Sequence, residues 1–218
     1  MKWRFEKIFL LETSTQEIMT PEQILSHPPK VLSQEQRQDY FDLGYVKVEE
    51  LIPKNTLVEL RRMIDKVWDA SREETQSGTV FDLGPGHSPQ KPVLRRLKKP
   101  DEYDQVFWDF ASGLIADVAS DIAGPDVVFH HSKLNFKWND GSDEVKWHQD
   151  AQFFPHTNYN VFTIGCYLND TGLEDGPLAV MPGSHQGELY NLYHGETWTG
   201  CLTDEDADSL SMEDAEYL

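Results

Sequence analysis

The sequence predicts an α+β fold in which helices from the first half pack on an antiparallel β core formed by the second half. Two observations carry this. Between residues 32 and 123 apolar residues recur at helical spacing, whereas after Gly124-Pro125 they fall into short strand-like runs separated by Gly, Asn and Asp. Hydrophobic residues make up 39% and aromatics 11% of 218 residues, enough for one folded domain with a sizeable core.

Residues 1–31 read as an N-terminal arm, with a short strand near Lys7 to Leu11 and a turn or short helix around Pro21 to Ser26. The main domain is expected over residues 32–218. Ser33 followed three residues later by Gln36 is a capping-box helix start, and Gly44 is its stop. Tyr45-Val46-Lys47-Val48 alternates like a strand. A second helix opens at Pro53-Lys54-Asn55-Thr56, and Leu57, Leu60, Ile64, Val67 and Trp68 mark its apolar face.

Residues 71–92 are polar and rich in Gly, Ser and Pro, and are expected to form a long loop. Arg95, Arg96, Lys98 and Lys99 form the basic cluster, read as a solvated turn in preference to a site for an acidic substrate. Tyr103 to Ala123 reads as one amphipathic helix. Strands follow at Val127–Phe129, Lys133–Lys137, Val161–Leu168 and Leu178–Met181, and the acidic stretch from Cys201 to Leu218 reads as loop and helix start with no closing strand.

A formal charge of −19 argues against general nucleic-acid binding and against docking on an anionic membrane. No apolar run approaches the ~20 residues of a membrane span, and the N-terminal stretch lacks the pattern of a secretory signal. Cys166 and Cys201 are too few for a disulfide framework. These features predict a soluble cytoplasmic protein.

The chemistry centres on Trp147-His148-Gln149-Asp150. On an extended strand, side chains two apart share a face. His148 and Asp150 would then present an imidazole and a carboxylate together, two thirds of the 2-His-1-carboxylate set of non-haem Fe(II) oxygenases. Such a pair is common by chance, so its neighbours decide its weight. Those neighbours are LSQEQRQDYFDLGYVKVEELIPKNTLVELRRMID, then HSKLNFKWNDG before WHQD, then YLND, the Asp175-Gly176-Pro177-Leu178 turn and MPGSH.

In this order, the segments resemble the phytanoyl-CoA dioxygenase family of Fe(II)/2-oxoglutarate-dependent oxygenases, from about Leu32 onward. The resemblance implies a double-stranded β-helix (jelly-roll, cupin-like) core. It also implies His148 and Asp150 as iron ligands, and Lys133, Asn135 and Thr163 as contacts of 2-oxoglutarate. An ammonium, an amide and a hydroxyl suit a dianionic keto acid. The implied activity is hydroxylation of a small-molecule substrate. Read without the family, Lys133, Asn135 and Thr163 are equally well polar strand residues. Trp147 is expected in the core, His185 in a structural hydrogen bond, and Phe153 and Phe154 in a pocket wall or the core.

The family pattern adds a distal histidine ligand and, after it, an arginine for the far carboxylate of 2-oxoglutarate. After Asp150 the histidines are His156, His185 and His194, and no Arg or Lys follows Lys146. The expectation is an incomplete jelly roll, a fragment or truncated product whose exposed sheet edges favour self-association. The alternative function is a catalytically impaired member acting as a weak metal-binding or interaction module. A cupin-like metal hydrolase or isomerase using His148, Asp150 and another histidine is a third possibility.

Overall fold

A computed structural model describes residues 18–138, 145–154 and 161–218, together with the backbone of residues 2–11. The strand β1 (Lys2–Leu11) comes first, followed by three helices: α1 (Pro21–Ser26), α2 (Gln34–Leu43) and α3 (Lys54–Ala70). Ser33 caps α2 through the predicted box with Gln36, and Gly44 closes it at φ 84°. Thr20 and Gln23 form a second box on α1, which makes the expected turn or short helix a helix. Tyr45 to Val48 is not a strand. Val46 and Val48 instead pack against a small core of Leu32, Val118 and Ile122, so the alternation reflects contact with a helix.

The expected long loop contains β2 (Phe81–Leu83), which pairs with β3 (Leu94–Lys98). The basic cluster is therefore mostly strand and not a solvated turn. The single helix expected from Tyr103 to Ala123 is two, α5 (Gln105–Ser112) and α6 (Leu114–Ala123), after a short α4 (Pro100–Tyr103) that ends where the expected helix begins. Asp104 breaks the run by capping Val106, and Gly113 breaks it again at φ −94°, ψ −107°. Amphipathic spacing survives both breaks, which is why periodicity alone does not reveal them.

The two strands expected after Gly124 are one, β4 (Val127–Lys137), followed by β5 (Val161–Tyr167). The five-stranded sheet runs β2-β3-β4-β1-β5, with every neighbouring pair antiparallel. The N-terminal strand, longer than expected, thus lies between β4 and β5. Further along come β6 (Ala179–Val180), the hairpin β7 (Tyr193–His194) with β8 (Thr197–Trp198), α7 (Asp204–Ser209), and β9 (Glu216–Tyr217). Where no closing strand was expected, β9 pairs with β6.

The main core forms where α3, α5 and α6 cover one face of the sheet. Leu60, Ile64, Val67, Phe107, Ala111 and Ile115 from the helices meet Leu94, Leu97, Leu134, Phe136 and Cys166 from the strands. On β4, Ser132, Leu134 and Phe136 are buried at 2%, 0% and 2% exposure, so strand alternation turns His131, Lys133, Asn135 and Lys137 to the opposite face. That face carries the candidate site. No helix among the described residues is long and apolar enough to cross a membrane.

Candidate metal centre

His148 and Asp150 do not lie on a strand. Asp150 opens a short 3-10 turn, Asp150–Phe153, and Gln149 before it is extended at φ −118°, ψ 120°. One extended residue suffices to bring its two neighbours to one side, and His148 Nε2 lies 3.2 Å from Asp150 Oδ1. The segment is strapped to residues 188–202. Gln149 Oε1 accepts from the Tyr190 amide at 2.8 Å and its Nε2 donates to the Glu188 carbonyl at 3.0 Å. Gln152 Nε2 donates to the Tyr190 carbonyl at 2.6 Å, and the Leu202 amide donates to the Trp147 carbonyl at 2.8 Å. Trp147 is half-buried and outside the main core, contrary to expectation.

His148 Nδ1 lies 2.8 Å from the Lys146 carbonyl, which can only accept, so Nδ1 carries a proton. Nε2 therefore faces a carboxylate oxygen either as an imidazolium N–H or as a lone pair. Two lone pairs at that separation require a cation between them. The arrangement thus suits a proton at low pH and a metal ion at higher pH, with the carbonyl fixing the ring as outer partners of metal-bound histidines commonly do. Thr163 Oγ1 donates to Asp150 Oδ2 at 2.9 Å and holds the second oxygen. The hydrogen bond to Asp150 raises the His148 pKa against the cost of burial. The same bond, aided by Thr163, lowers that of Asp150. The donor set fits a metal held by two protein groups, and no cluster of three or more His, Cys, Asp or Glu that could hold one occurs among the described residues.

The other predicted site residues lie on the open sheet face. Lys133 is on β4, and its charge disfavours protonation of His131, His148 and Asp150 alike. Asn135, two residues further, accepts through Oδ1 from Arg96 Nε at 2.9 Å. Thr163 stands on β5, with β1 between it and β4, and its hydroxyl is turned to Asp150.

Two of the histidines that follow Asp150 are bonded elsewhere. His185 Nε2 is 3.0 Å from the Phe41 carbonyl, in the structural role the sequence suggested. His194 Nε2 is 3.1 Å from the Leu202 carbonyl, and His156 lies outside the described residues. Phe153 and Phe154 diverge. Phe153 lies edge-on to His148, with centroids 5.7 Å apart, and to Trp198 at 5.5 Å. Phe154 packs on His130 and His131. Neither enters the core.

A model of the family described as Phytanoyl-CoA dioxygenase (PhyH) matches residues 40–215. The chain belongs to the phytanoyl-CoA dioxygenase family. It is similar to a probable alpha-ketoglutarate-dependent hypophosphite dioxygenase of Stutzerimonas stutzeri, at 30% identity over 168 residues covering 77% of this chain and 58% of the relative. It is similar to an ectoine dioxygenase of Sphingopyxis alaskensis at 26% identity, covering 71% of this chain and 49% of the relative. It also resembles the peroxisomal phytanoyl-CoA dioxygenase of Rattus norvegicus at 23% identity, covering 73% and 49% respectively. The chain spans about half the length of the curated relatives it matches.

Within this phytanoyl-CoA dioxygenase family chain, three residues near the site escaped the sequence reading. Arg96 lies in Leu94–Lys98, LRRLK, whose two buried leucines are three apart, so no period-two pattern marks it as strand. His131 shares the open face with Lys133, and only the parity of β4 reveals it. Gln149 sits inside the motif as a spacer, yet its side chain makes two of the straps.

Proposed function

We propose that this chain carries the metal- and cosubstrate-binding part of an Fe(II)/2-oxoglutarate-dependent dioxygenase that hydroxylates a small molecule. The decisive observation is the His148–Asp150 pair, locked by Lys146 on one side and Thr163 on the other. His148 Nε2 and Asp150 Oδ1 would hold the metal. Thr163 orients the carboxylate, and the Lys146 carbonyl keeps the imidazole in the tautomer that leaves Nε2 free to ligate. Lys133 and Asn135 would bind the dianionic keto acid, the ammonium offsetting charge and the amide donating from Nδ2. When bound, iron and the keto acid would let O2, the oxidant, attack a C–H bond, with the keto acid oxidised to succinate and CO2. Phe153, edge-on to His148 and 42% exposed, offers an apolar wall beside the metal. The five-stranded sheet is read as part of a double-stranded β-helix.

The similarity to dioxygenases named for ectoine, phytanoyl-CoA and hypophosphite supports the reaction class and spans too varied a set to choose a substrate. Anaerobic titration with Fe(II) and 2-oxoglutarate tests the proposal, which expects the visible charge-transfer band of the chelate. A second reading, a weak metal-binding or interaction module, is favoured by the convergence of just two donors among the described residues. Succinate release by the 218-residue chain separates the two: robust release excludes the module, and its absence together with no chelate band excludes the enzyme.

A further inference from the structure

We propose that Phe153, Trp198 and Tyr193 form the substrate's seat, an aromatic wall leading outward from the metal pair that takes an alkylammonium group. The inference rests on the proposed dioxygenase reading for what the wall serves, and on the β7–β8 hairpin for its substance. Register pairs Tyr193 with Trp198 and His194 with Thr197 across a turn that opens on Gly195 at φ 64°. Side chains alternate along the ribbon, so both rings stand on one face, with centroids 5.1 Å apart. The other face is tied down, because His194 Nε2 lies 3.1 Å from the Leu202 carbonyl. Leu192 and Leu202 on either side are buried, and the amides of Thr199 and Gly200 both donate to the Leu192 carbonyl. The hairpin is thus anchored through its backbone and its polar face, and its aromatic face looks outward.

Phe153 joins this face to the metal pair. Its ring meets His148 at 5.7 Å and Trp198 at 5.5 Å, edge to face in both cases. Gly200, at φ 70°, makes the junction possible, since a Cβ there would lie 2.8 Å from Phe153 Cζ. Successive planes from Phe153 to Trp198 to Tyr193 turn by 73° and 71°, so the rings form corners and not a stack. Phe153, Tyr193 and Trp198 stay 42%, 46% and 42% exposed, a contiguous apolar surface of the kind that binds a ligand. The charge around it selects that ligand. The hairpin turn carries Glu196, the strap before it Glu188, and the start of α7 beyond it Asp204, Glu205 and Asp206. No Arg or Lys follows Lys146, and Lys146 itself lies 3.9 Å from Asp204. Ring faces carry partial negative charge and attract cations, and a surrounding of carboxylates adds to that field. An alkylammonium lays its methyl and methylene groups on the rings and its charge against their faces, whereas ring and carboxylate alike repel an anion. Because the wall starts at His148, a cation seated on it turns its carbon chain toward the metal pair.

Choline, its neutral isostere 3,3-dimethylbutanol and the anion 3,3-dimethylbutanoate are the probes. Ligand-observed NMR titrates each against the 218-residue chain as wild type, Trp198→Leu and Trp198→Phe. Wild type should bind choline about tenfold more tightly than the isostere and leave the anion unbound. Trp198→Leu should lose about tenfold in choline affinity, and Trp198→Phe should keep part of it. Calorimetry should give equal Mn(II) affinity in all three proteins, and bound Mn(II) should broaden the choline methyl signal. The seat is overturned if choline does not bind, if choline and its isostere bind equally, or if Trp198→Leu binds choline as wild type does. It is also overturned if Mn(II) binds and leaves the signal of bound choline sharp. If choline binding depends on Trp198 while Mn(II) does not bind, the aromatic wall stands and the metal reading fails. Far-UV circular dichroism of Trp198→Leu matching wild type excludes misfolding as the cause, and the isostere comparison in wild type needs no variant.

Discussion

Thr163 donates its hydroxyl to Asp150 Oδ2 at 2.9 Å across the gap between β5 and the 3-10 turn that begins at Asp150. The bond makes the carboxylate bidentate in its duties, with Oδ2 held by the sheet and Oδ1 turned to His148. A metal ligand is only as well placed as the groups that orient it, and such outer partners are commonly worth 10–100-fold in affinity. Thr163→Val, which keeps the shape and loses the hydroxyl, should weaken Mn(II) binding by roughly tenfold, and Thr163→Ser should restore it. Calorimetric titration measures both. Equal affinity in Thr163→Val and wild type would leave Thr163 free for the cosubstrate role that the family resemblance implies.

A sharper ranking follows for the ligand pair. Asp150→Ala should abolish most Mn(II) binding, since His148 alone makes a poor site. His185→Ala should leave binding intact and lower the melting temperature, because His185 is bonded to Phe41 far along the sequence. The opposite ranking would overturn the assignment of Asp150.

The legibility of these features in the sequence was uneven for physical reasons. Capping boxes are local, so Ser33 with Gln36 and the stop at Gly44 could be read directly. Gly113 breaks a helix without breaking its apolar stripe, so α5 and α6 look like one. The pairing of β1 between β4 and β5 joins residues more than a hundred apart, and no local pattern encodes it. At the site, the spacing of His148 and Asp150 was sufficient even though the strand supposed to deliver it is absent. One extended residue, Gln149, did the same work. Arg96 was obscured because a basic run resembles a solvated turn until its partner strand is known.

His131 should give the fold a pH dependence of its own. Burial first, then the charges of His130 and Lys133, push its pKa from 6.5 down to about 4, while Asp101 and Asp150 pull the other way. His130 Nδ1 lies 2.5 Å from His131 Nδ1, and Phe154 packs edge-on to His130 and tilted against His131. Between pH 6.5 and about 4 the unfolded chain takes up a proton that the folded chain refuses, so stability falls as pH falls through that window. His131→Asn removes the linkage. Relative to wild type it should gain on the order of 1 kcal/mol between pH 7.5 and pH 5, discounted for the partial exposure of the ring. Urea unfolding at the two pH values reads this directly, and a constant difference would show that His131 titrates normally.

The end of α2 should behave as a two-residue lock. Gly44 has φ 84°, and a Cβ built on it would clash with Nδ1 and Cγ of the His185 ring. The loop bearing His185 is tied down further by the Gly183 amide, which donates to the Leu43 carbonyl at 2.8 Å. Gly44→Ala combines left-handed strain with a clash and should cost about 2–3 kcal/mol. In Gly44→Ala/His185→Ala the contacts with the ring are gone and only the one with Cβ at 2.9 Å remains, so the double variant should lose about 1 kcal/mol less than the sum of the single changes. Additive losses would mean that strain at Gly44 alone sets the cost.

The N-terminal helices depend on a buried polar hub at Asp121 and Arg37, exposed by 2% and 1%. Their side chains address backbone in place of each other. The Asp121 carboxylate accepts from the amides of Lys30, Val31 and Leu32, each at 2.8 Å. Arg37 donates through Nε to the Asp121 carbonyl at 2.8 Å, and through its terminal nitrogens to the carbonyls of His27 and Ile24 and to Gln34. Together they fasten the segment before α2 to the end of α6. Asp121→Ala strands three amide donors, with the buried Leu32 amide furthest from water, and should cost about 3–5 kcal/mol. Asp121→Asn retains one acceptor oxygen and should cost about half as much. Arg37→Met, similar in length and apolar, leaves only acceptors unpaired and should fall near the Asn variant. Denaturant unfolding orders the three; an Asp121→Ala protein as stable as wild type would mean that water satisfies these amides and that the hub contributes nothing to the fold.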